Sequence, residues 1–148
     1  MQFHVSQSGR ACLVDWNAPL TVSDLLALLQ NLKRAPALAG TQVVLILVVR
    51  DAVPVPPNYL LSSLQAILPA ILDSSHELVS VVEGAGAERT PFRSAFRATR
   101  SLTRSRAPQM FETLSRAFAH AQRFAPHDVL ELQRLLLRDS LPSIGQRT

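Results

Sequence analysis

The stretch Val43-Val44-Leu45-Ile46-Leu47-Val48-Val49 decides the fold class of this 148-residue chain. All seven side chains are aliphatic, most are β-branched, and apolar and polar residues do not alternate. Such a run is typical of a strand that is covered on both faces, as in a sheet flanked by helices. The run 78–82, Leu-Val-Ser-Val-Val, likewise does not alternate, and each run is followed by a helical pattern. The two runs are therefore predicted to be adjacent buried strands joined by a right-handed crossover.

The segments on either side of these two strands complete the predicted topology. The first predicted helix has one apolar stripe at helical spacing, which is predicted to face the core. The stripe consists of Val22, Leu25, Leu26, Leu29 and Leu32. The predicted strands lie at about 2–7 and 11–17, with an edge strand at 108–112. The predicted helices are one that Thr21 or Ser23 caps, one whose apolar pattern runs from Leu60 to Ile71, one from 90 to about 104, and two near 113–124 and 128–139. The order β-β-α-β-α-β-α-(β)-α-α predicts an α/β fold with a mixed, mostly parallel sheet of four or five strands.

Smaller signals mark the ends of several of these elements. Gly40 is predicted to end the first helix, Thr90 followed by proline to open the third, and Asp128 with Glu131 to cap the last. We expect residues 1–125 to form one domain, with residues 126–148 as a C-terminal helix and tail that pack on it or extend it.

Composition excludes several classes of protein. Hydrophobic residues make up 47% of the chain and charged residues 18%, which is globular rather than disordered composition. The single cysteine, Cys12, lies in an apolar strand-like run and is predicted to be a buried, inert thiol. The N-terminus lacks the pattern of a signal peptide, and no apolar run is long enough for a membrane span, so we expect a cytoplasmic protein.

Catalytic and metal-binding motifs are not recognisable in the sequence. The four histidines, at 4, 76, 120 and 127, are scattered without i, i+4 spacing. With one cysteine, a zinc site would need ligands from distant parts of the chain, and no pattern indicates such an assembly. Gly84 and Gly86 follow a strand and precede a helix, but the remaining glycines and the lysine of a phosphate-binding loop are missing, so a plain turn is favoured. We expect no enzymatic activity, no metal and no cofactor.

The most informative feature is a row of arginines in the third predicted helix. No acidic residue occurs from 89 to 106, and the row falls within an arc of about 80° at 100° per residue. Its members recur at spacings of four, four, three and four, and they are Arg89, Arg93, Arg97, Arg100 and Arg104. Like charges on one face repel each other unless an anionic partner covers them. The alternative is a solvated face in a chain that has fourteen arginines and one lysine.

The element order and two segments resemble the STAS domain, the fold of anti-sigma-factor antagonists. The segments are VVEGAGAERTPFRSAF at 81–96 and QMFETLSRAFAHA at 109–121, and the pattern of elements spans roughly residues 1–125. That resemblance implies a bacterial regulatory adaptor. The family's phosphorylatable serine stands in an Asp-Ser-Ser-Gly turn that opens the second helix, where this chain has Pro56-Pro57-Asn58-Tyr59. Ser62 and Ser63 lie inside the helix and are not expected to act as a phosphorylation switch.

These observations predict a non-enzymatic protein-interaction module whose basic helix, residues 89–106, contacts an acidic protein. Charge asymmetry agrees with this, since residues 1–88 hold four basic and seven acidic residues, whereas residues 89–148 hold eleven basic and four acidic residues. Binding of nucleic acid through the same arginines, or carriage of a small molecule or lipid, remain alternatives. A homo-oligomer is also possible through the leucine-rich C-terminal helix, which contains Leu130, Leu132, Leu135, Leu136 and Leu137.

Overall fold

The computed structural model describes residues 1–34, 43–71, 76–102 and 109–140. Its strands are β1 (Gln2–Val5), β2 (Ala11–Trp16), β3 (Val43–Val49), β4 (His76–Val82) and β5 (Gln109–Phe111). Its helices are α1 (Val22–Arg34), α2 (Asn58–Ile71), α3 (Thr90–Leu102), α4 (Leu114–Ala121) and α5 (Pro126–Ser140), and a 3-10 turn (Ala87–Arg89) leads into α3.

The five described strands form one mixed sheet in the order β1-β2-β3-β4-β5. β1 runs antiparallel to β2, and the other neighbours pair in parallel. The predicted α/β class with a mixed, mostly parallel sheet is therefore confirmed. β3 is buried along its whole length and pairs with β4 at Leu45 and Leu78, which confirms that the two apolar runs are adjacent buried strands.

The two faces of the sheet are covered by different helices. α1, α2 and α3 each connect one parallel strand to the next, and right-handed crossovers between strands in consecutive order bring all three to the same face. α4 and α5 follow β5 and cover the opposite face. Alternation along β3 separates the two cores: Leu45 and Leu47 face α1–α3, whereas Val44 and Ile46 face α4 and α5.

The core beneath α1–α3 is built around aromatic side chains. Trp16 at the end of β2 meets Phe92 of α3 edge to face, with ring centroids 5.1 Å apart. Phe96, one turn further along α3, is fully buried as well. Cys12 packs in this same core, and the prediction of a buried thiol is confirmed. Burial raises the pKa of Cys12 to about 11, because the thiolate would lose its hydration.

The predicted apolar stripe of α1 is partly wrong. Leu25 and Leu28 are the buried positions, whereas Val22 is 58% and Leu26 is 55% exposed. Leucines recur on more than one side of this helix, so their spacing alone does not decide which side faces the core. The rotation of the helix about its axis remains undetermined by about one residue. Contact with both the sheet and α2 selects the face that contains Leu28.

The predicted cap of the last helix is also wrong. α5 begins at Pro126, two residues before Asp128, and the two acidic residues contact the β1–β2 hairpin instead. Asp128 accepts a hydrogen bond from the Ser8 hydroxyl, and the Glu131 Oε2 atom accepts one from the backbone N–H of Gln7 at 2.9 Å. These bonds tie α5 to the first turn of the chain.

The same helix completes the second core. Val129 and Leu132 are fully buried against β2, β3 and α4, so α5 packs on the sheet directly. The predicted helix stop at Gly40, the position of Arg104, and residues 141–148 lie outside the described residues. Within the described residues, no helix combines the length and the apolar character that a membrane span requires.

Candidate functional site

The predicted arginines do not share one exposed surface. Arg89 lies in the 3-10 turn before α3 and is only 4% exposed. Arg93 is half-buried, Arg97 is exposed, and Arg100 lies further along α3. Arg104 falls outside the described residues. Within the described residues, the exposed part of the arginine row therefore begins at Arg97, about two helical turns later than the sequence pattern suggests.

Arg89 links two loops at the carboxyl edge of the sheet. Its Nε donates to the carbonyl oxygen of Glu83 at 3.0 Å, and one terminal nitrogen donates to the carbonyl oxygen of Arg50 at 2.6 Å. The other terminal nitrogen donates to the carbonyl oxygen of Val53. Its guanidinium carbon also lies 4.8 Å from the centroid of the Phe92 ring. One buried cation thus fixes the β3–α2 connector against the loop that follows β4, and its contacts are mainly structural.

Arg93 stabilises the glycine-containing loop between β4 and α3. Its terminal nitrogens donate to the carbonyl oxygens of Gly84 and Gly86, the latter at 3.4 Å. Gly84 has a φ of +95°, and a Cβ atom placed there would lie 3.4 Å from the Cγ atom of Arg89. The positive φ favours glycine at this position, whereas the contact of a Cβ atom with Arg89 would be an ordinary van der Waals one. The loop uses its carbonyl groups to accept hydrogen bonds from arginine, as a structural turn does.

A second polar cluster lies at the same edge of the sheet, on the face covered by α4 and α5. The Arg50 Nε atom is 2.8 Å from the Asp15 Oδ1 atom, and an Arg50 terminal nitrogen is 3.6 Å from the Glu83 Oε2 atom. Hydrogen bonding to Asp15, supported by the charge of Glu83, raises the pKa of Arg50 above its ordinary value. No sequence motif reveals this cluster, although all three residues stand at or just beyond the ends of predicted neighbouring strands.

A pocket of about 240 Å³ opens beside Arg50, between α4 and α5. Its lining is mostly apolar, and the residues that form it are Arg50, Leu114, Ser115, Phe118, Gln133, Leu136 and Leu137. The pocket lies outside the carboxyl ends of the parallel strands, where α/β proteins commonly bind small molecules. Arg50 already contacts two carboxylates, so it gives the pocket little net positive charge.

Other chemically reactive groups are dispersed over the described residues. No group of three histidine, cysteine, aspartate or glutamate side chains is arranged there to hold a metal ion. His120 lies 4.0 Å from Glu77 and between the rings of Phe111 and Phe124, in the core beneath α4. Neither this pair nor Cys12 lines the polar edge described above.

No family model matches the chain, and neither a curated protein nor a solved structure shows significant similarity to it. Function is therefore inferred from the geometry and charge of the described surface.

Proposed function

We propose that this chain is a non-enzymatic interaction module of the STAS type, which binds an acidic protein through the exposed basic face of α3. In this proposal it acts as a regulatory adaptor in a bacterial cytoplasm and uses no cofactor. The observation that carries the proposal is the exposed Arg97 on a helix that contains no acidic residue from Thr90 to Leu102.

The packing of α3 supports a role for this helix in presenting its arginine charges to a partner. Phe92, Ala95 and Phe96 are buried beneath the helix, so its orientation on the sheet is fixed. Arg97 is exposed on the other side. The sequence pattern puts Arg100 on the same arc as Arg97 at 100° per residue. Because Arg93 holds the loop after β4, the neighbouring loop is fixed together with the helix. A surface arranged in advance of binding loses less conformational entropy when a partner docks.

An acidic protein is favoured over nucleic acid by the position of the aromatic residues. Both aromatic side chains of α3 are fully buried, so the helix offers no ring on which a base could stack. Only contacts to phosphate groups would remain, and those depend strongly on salt.

The departure from the STAS pattern at the start of α2 supports constitutive binding. α2 begins at Asn58, and the Ser63 hydroxyl donates to the carbonyl oxygen of Tyr59 at 2.9 Å within the helix. Ser63 therefore lies within a helix, whereas the serine that is phosphorylated in the STAS family lies in an accessible turn.

The test compares two charge-reversed variants. Arg97→Glu with Arg100→Glu changes the proposed face, and Arg116→Glu with Arg123→Glu makes the same change in charge at exposed positions in and just after α4. The probes are a fluorescent polyglutamate peptide and an arbitrary DNA duplex, measured by anisotropy at two salt concentrations. We expect the α3 variant to lose at least about tenfold in peptide affinity and the control to lose much less.

Two results would contradict the proposal. Equal losses in both variants would mean that only net charge matters. The unmodified protein could bind the duplex more tightly than the peptide, and the α3 variant could lose that preference. This result would favour the nucleic-acid alternative.

A further inference from the structure

The exposed side of α5 combines an apolar ridge with a charged flank. Leu130 is 38% and Leu137 is 57% exposed, and seven residues, or about two helical turns, separate them. Other leucines of the helix face inward: Leu132 is fully buried, and Leu135 and Leu136 pack against the core beneath α4 and α5. The inward-facing leucines thus attach α5 to its own sheet, while the two leucines of the ridge keep a large exposed fraction.

A hollow lies on one side of the ridge. Gln133, Leu136 and Leu137 line the pocket between α4 and α5 together with Leu114 and Phe118. Positions i, i+3 and i+4 of a helix form three corners of the hole that receives a side chain from a facing helix. The α5 surface thus contains both a projecting leucine and a mostly apolar cavity that can receive a leucine side chain.

Charged residues line the other side of the ridge. Glu131, Arg134 and Arg138 border a groove beside Leu130 and Leu135. The Glu131 carboxylate is held in place by its bond to the backbone N–H of Gln7. The acidic residue precedes the two arginines along the helix. When two copies of this flank lie antiparallel, the acidic residue of each copy therefore faces arginines of the other.

We propose that α5 is a homodimer interface, in which the α5 helices of two copies of this chain pair antiparallel about a twofold axis near Gln133 and Arg134. In this register Leu130 of each copy enters the hollow beside Leu137 of the other. Glu131 of each copy then stands between Arg134 and Arg138 of the other, which offsets the repulsion between the two Arg134 side chains near the axis. A twofold interface requires one patch that complements itself, and the α5 surface meets that requirement. This inference does not depend on the basic face of α3.

The first experiment measures the mass of the full chain by analytical ultracentrifugation from about 1 to 200 µM, a range that covers micromolar affinities. We expect a dimer whose dissociation constant rises at least about tenfold in Leu137→Glu and in Leu130→Glu, since a carboxylate at either position loses its hydration in the mostly apolar contact. The matched control is Leu26→Glu on α1, where the leucine is 55% exposed, and it should leave the dissociation constant unchanged. Arg138→Glu and higher salt should both weaken the dimer.

The second experiment tests the register by disulfide formation. Leu130→Cys mixed with Leu137→Cys should form a cross-linked heterodimer, because antiparallel pairing places these positions opposite each other. Leu130→Cys alone should not cross-link, since its copies are separated by about 10 Å along the pair and a disulfide needs Cα atoms within about 7 Å. Cys12 is buried and does not compete.

Three outcomes would overturn the proposal. The chain could remain monomeric at about 200 µM, the Leu26→Glu control could weaken the dimer as much as Leu137→Glu does, or Leu130→Cys could cross-link to itself. Circular dichroism of each variant establishes that a loss of dimer does not reflect unfolding.

Discussion

Replacement of Arg89 by alanine tests whether this residue is a structural link between loops. The guanidinium donates three charge-assisted hydrogen bonds to backbone carbonyl groups, those of Glu83, Val53 and Arg50. Bonds of this kind contribute about 1.5–3 kcal/mol each, but burial of the cation costs part of that gain. We therefore expect Arg89→Ala to lower the free energy of unfolding by about 3–5 kcal/mol. For a chain of this length the loss corresponds to a decrease in Tm on the order of 10 °C.

The assay is urea denaturation followed by the fluorescence of Trp16, which is fully buried against Phe92. Arg89→Lys should fall between alanine and wild type, because an ammonium group cannot reach three carbonyl oxygens in the forked geometry of arginine. Arg97→Ala is the control, and as an exposed substitution it should change the free energy of unfolding by less than about 0.5 kcal/mol. A loss below about 1 kcal/mol in Arg89→Ala would refute the assignment of a structural role.

Three further predictions concern Arg50, Cys12 and the two serines of α2. Arg50→Ala should lower the free energy of unfolding, measured by urea denaturation, by about 2–4 kcal/mol, because it leaves the Asp15 carboxylate buried without its cation. In an Asp15→Asn background the same change should lower it by less than half as much. Equal losses in the two backgrounds would contradict the pairing. Cys12 should react with thiol reagents far more slowly in the folded than in the denatured protein. Because its pKa is raised from 9.0 to about 11, the folded state retains the proton longer, so the free energy of unfolding should fall between pH 9 and 11 in wild type but not in Cys12→Ala. Protein isolated from its native host should show no stoichiometric phosphate at Ser62 or Ser63 by intact-mass spectrometry, and a full phosphate at either residue would restore the antagonist-type switch.

The sheet could be predicted from sequence because its signals are local. The β3 run is uniformly aliphatic and mostly β-branched, which is unsuited to an exposed edge and unusual for a helix. β5 was also predicted from a short segment, and Gln109–Phe111 indeed pairs with β4 at the edge of the described sheet. In both cases the residues that specify the strand lie within the strand itself.

The site could be predicted only in part because its partners are distant in sequence. Arg89 fits the helical spacing of Arg93 and Arg97, and nothing in that spacing reveals the carbonyl groups that bury it. Those carbonyl groups become visible only once β3 and β4 are known to end side by side. The ion pair of Asp15 and Arg50 spans 35 positions for the same reason.

The unequal covering of the sheet has a consequence for the nascent chain. During synthesis, the crossover helices α1 to α3 emerge between the strands and can pack on their face as each strand pair forms. The opposite face, with Val44, Ile46 and Val79 fully buried in the finished protein, stays bare until α4 and α5 leave the ribosome. Over that interval an apolar sheet surface is exposed to water and to other chains, and such surfaces aggregate. A ribosome stalled before about residue 114 therefore holds an intermediate that a holdase chaperone should bind, and completion of α5 should release it.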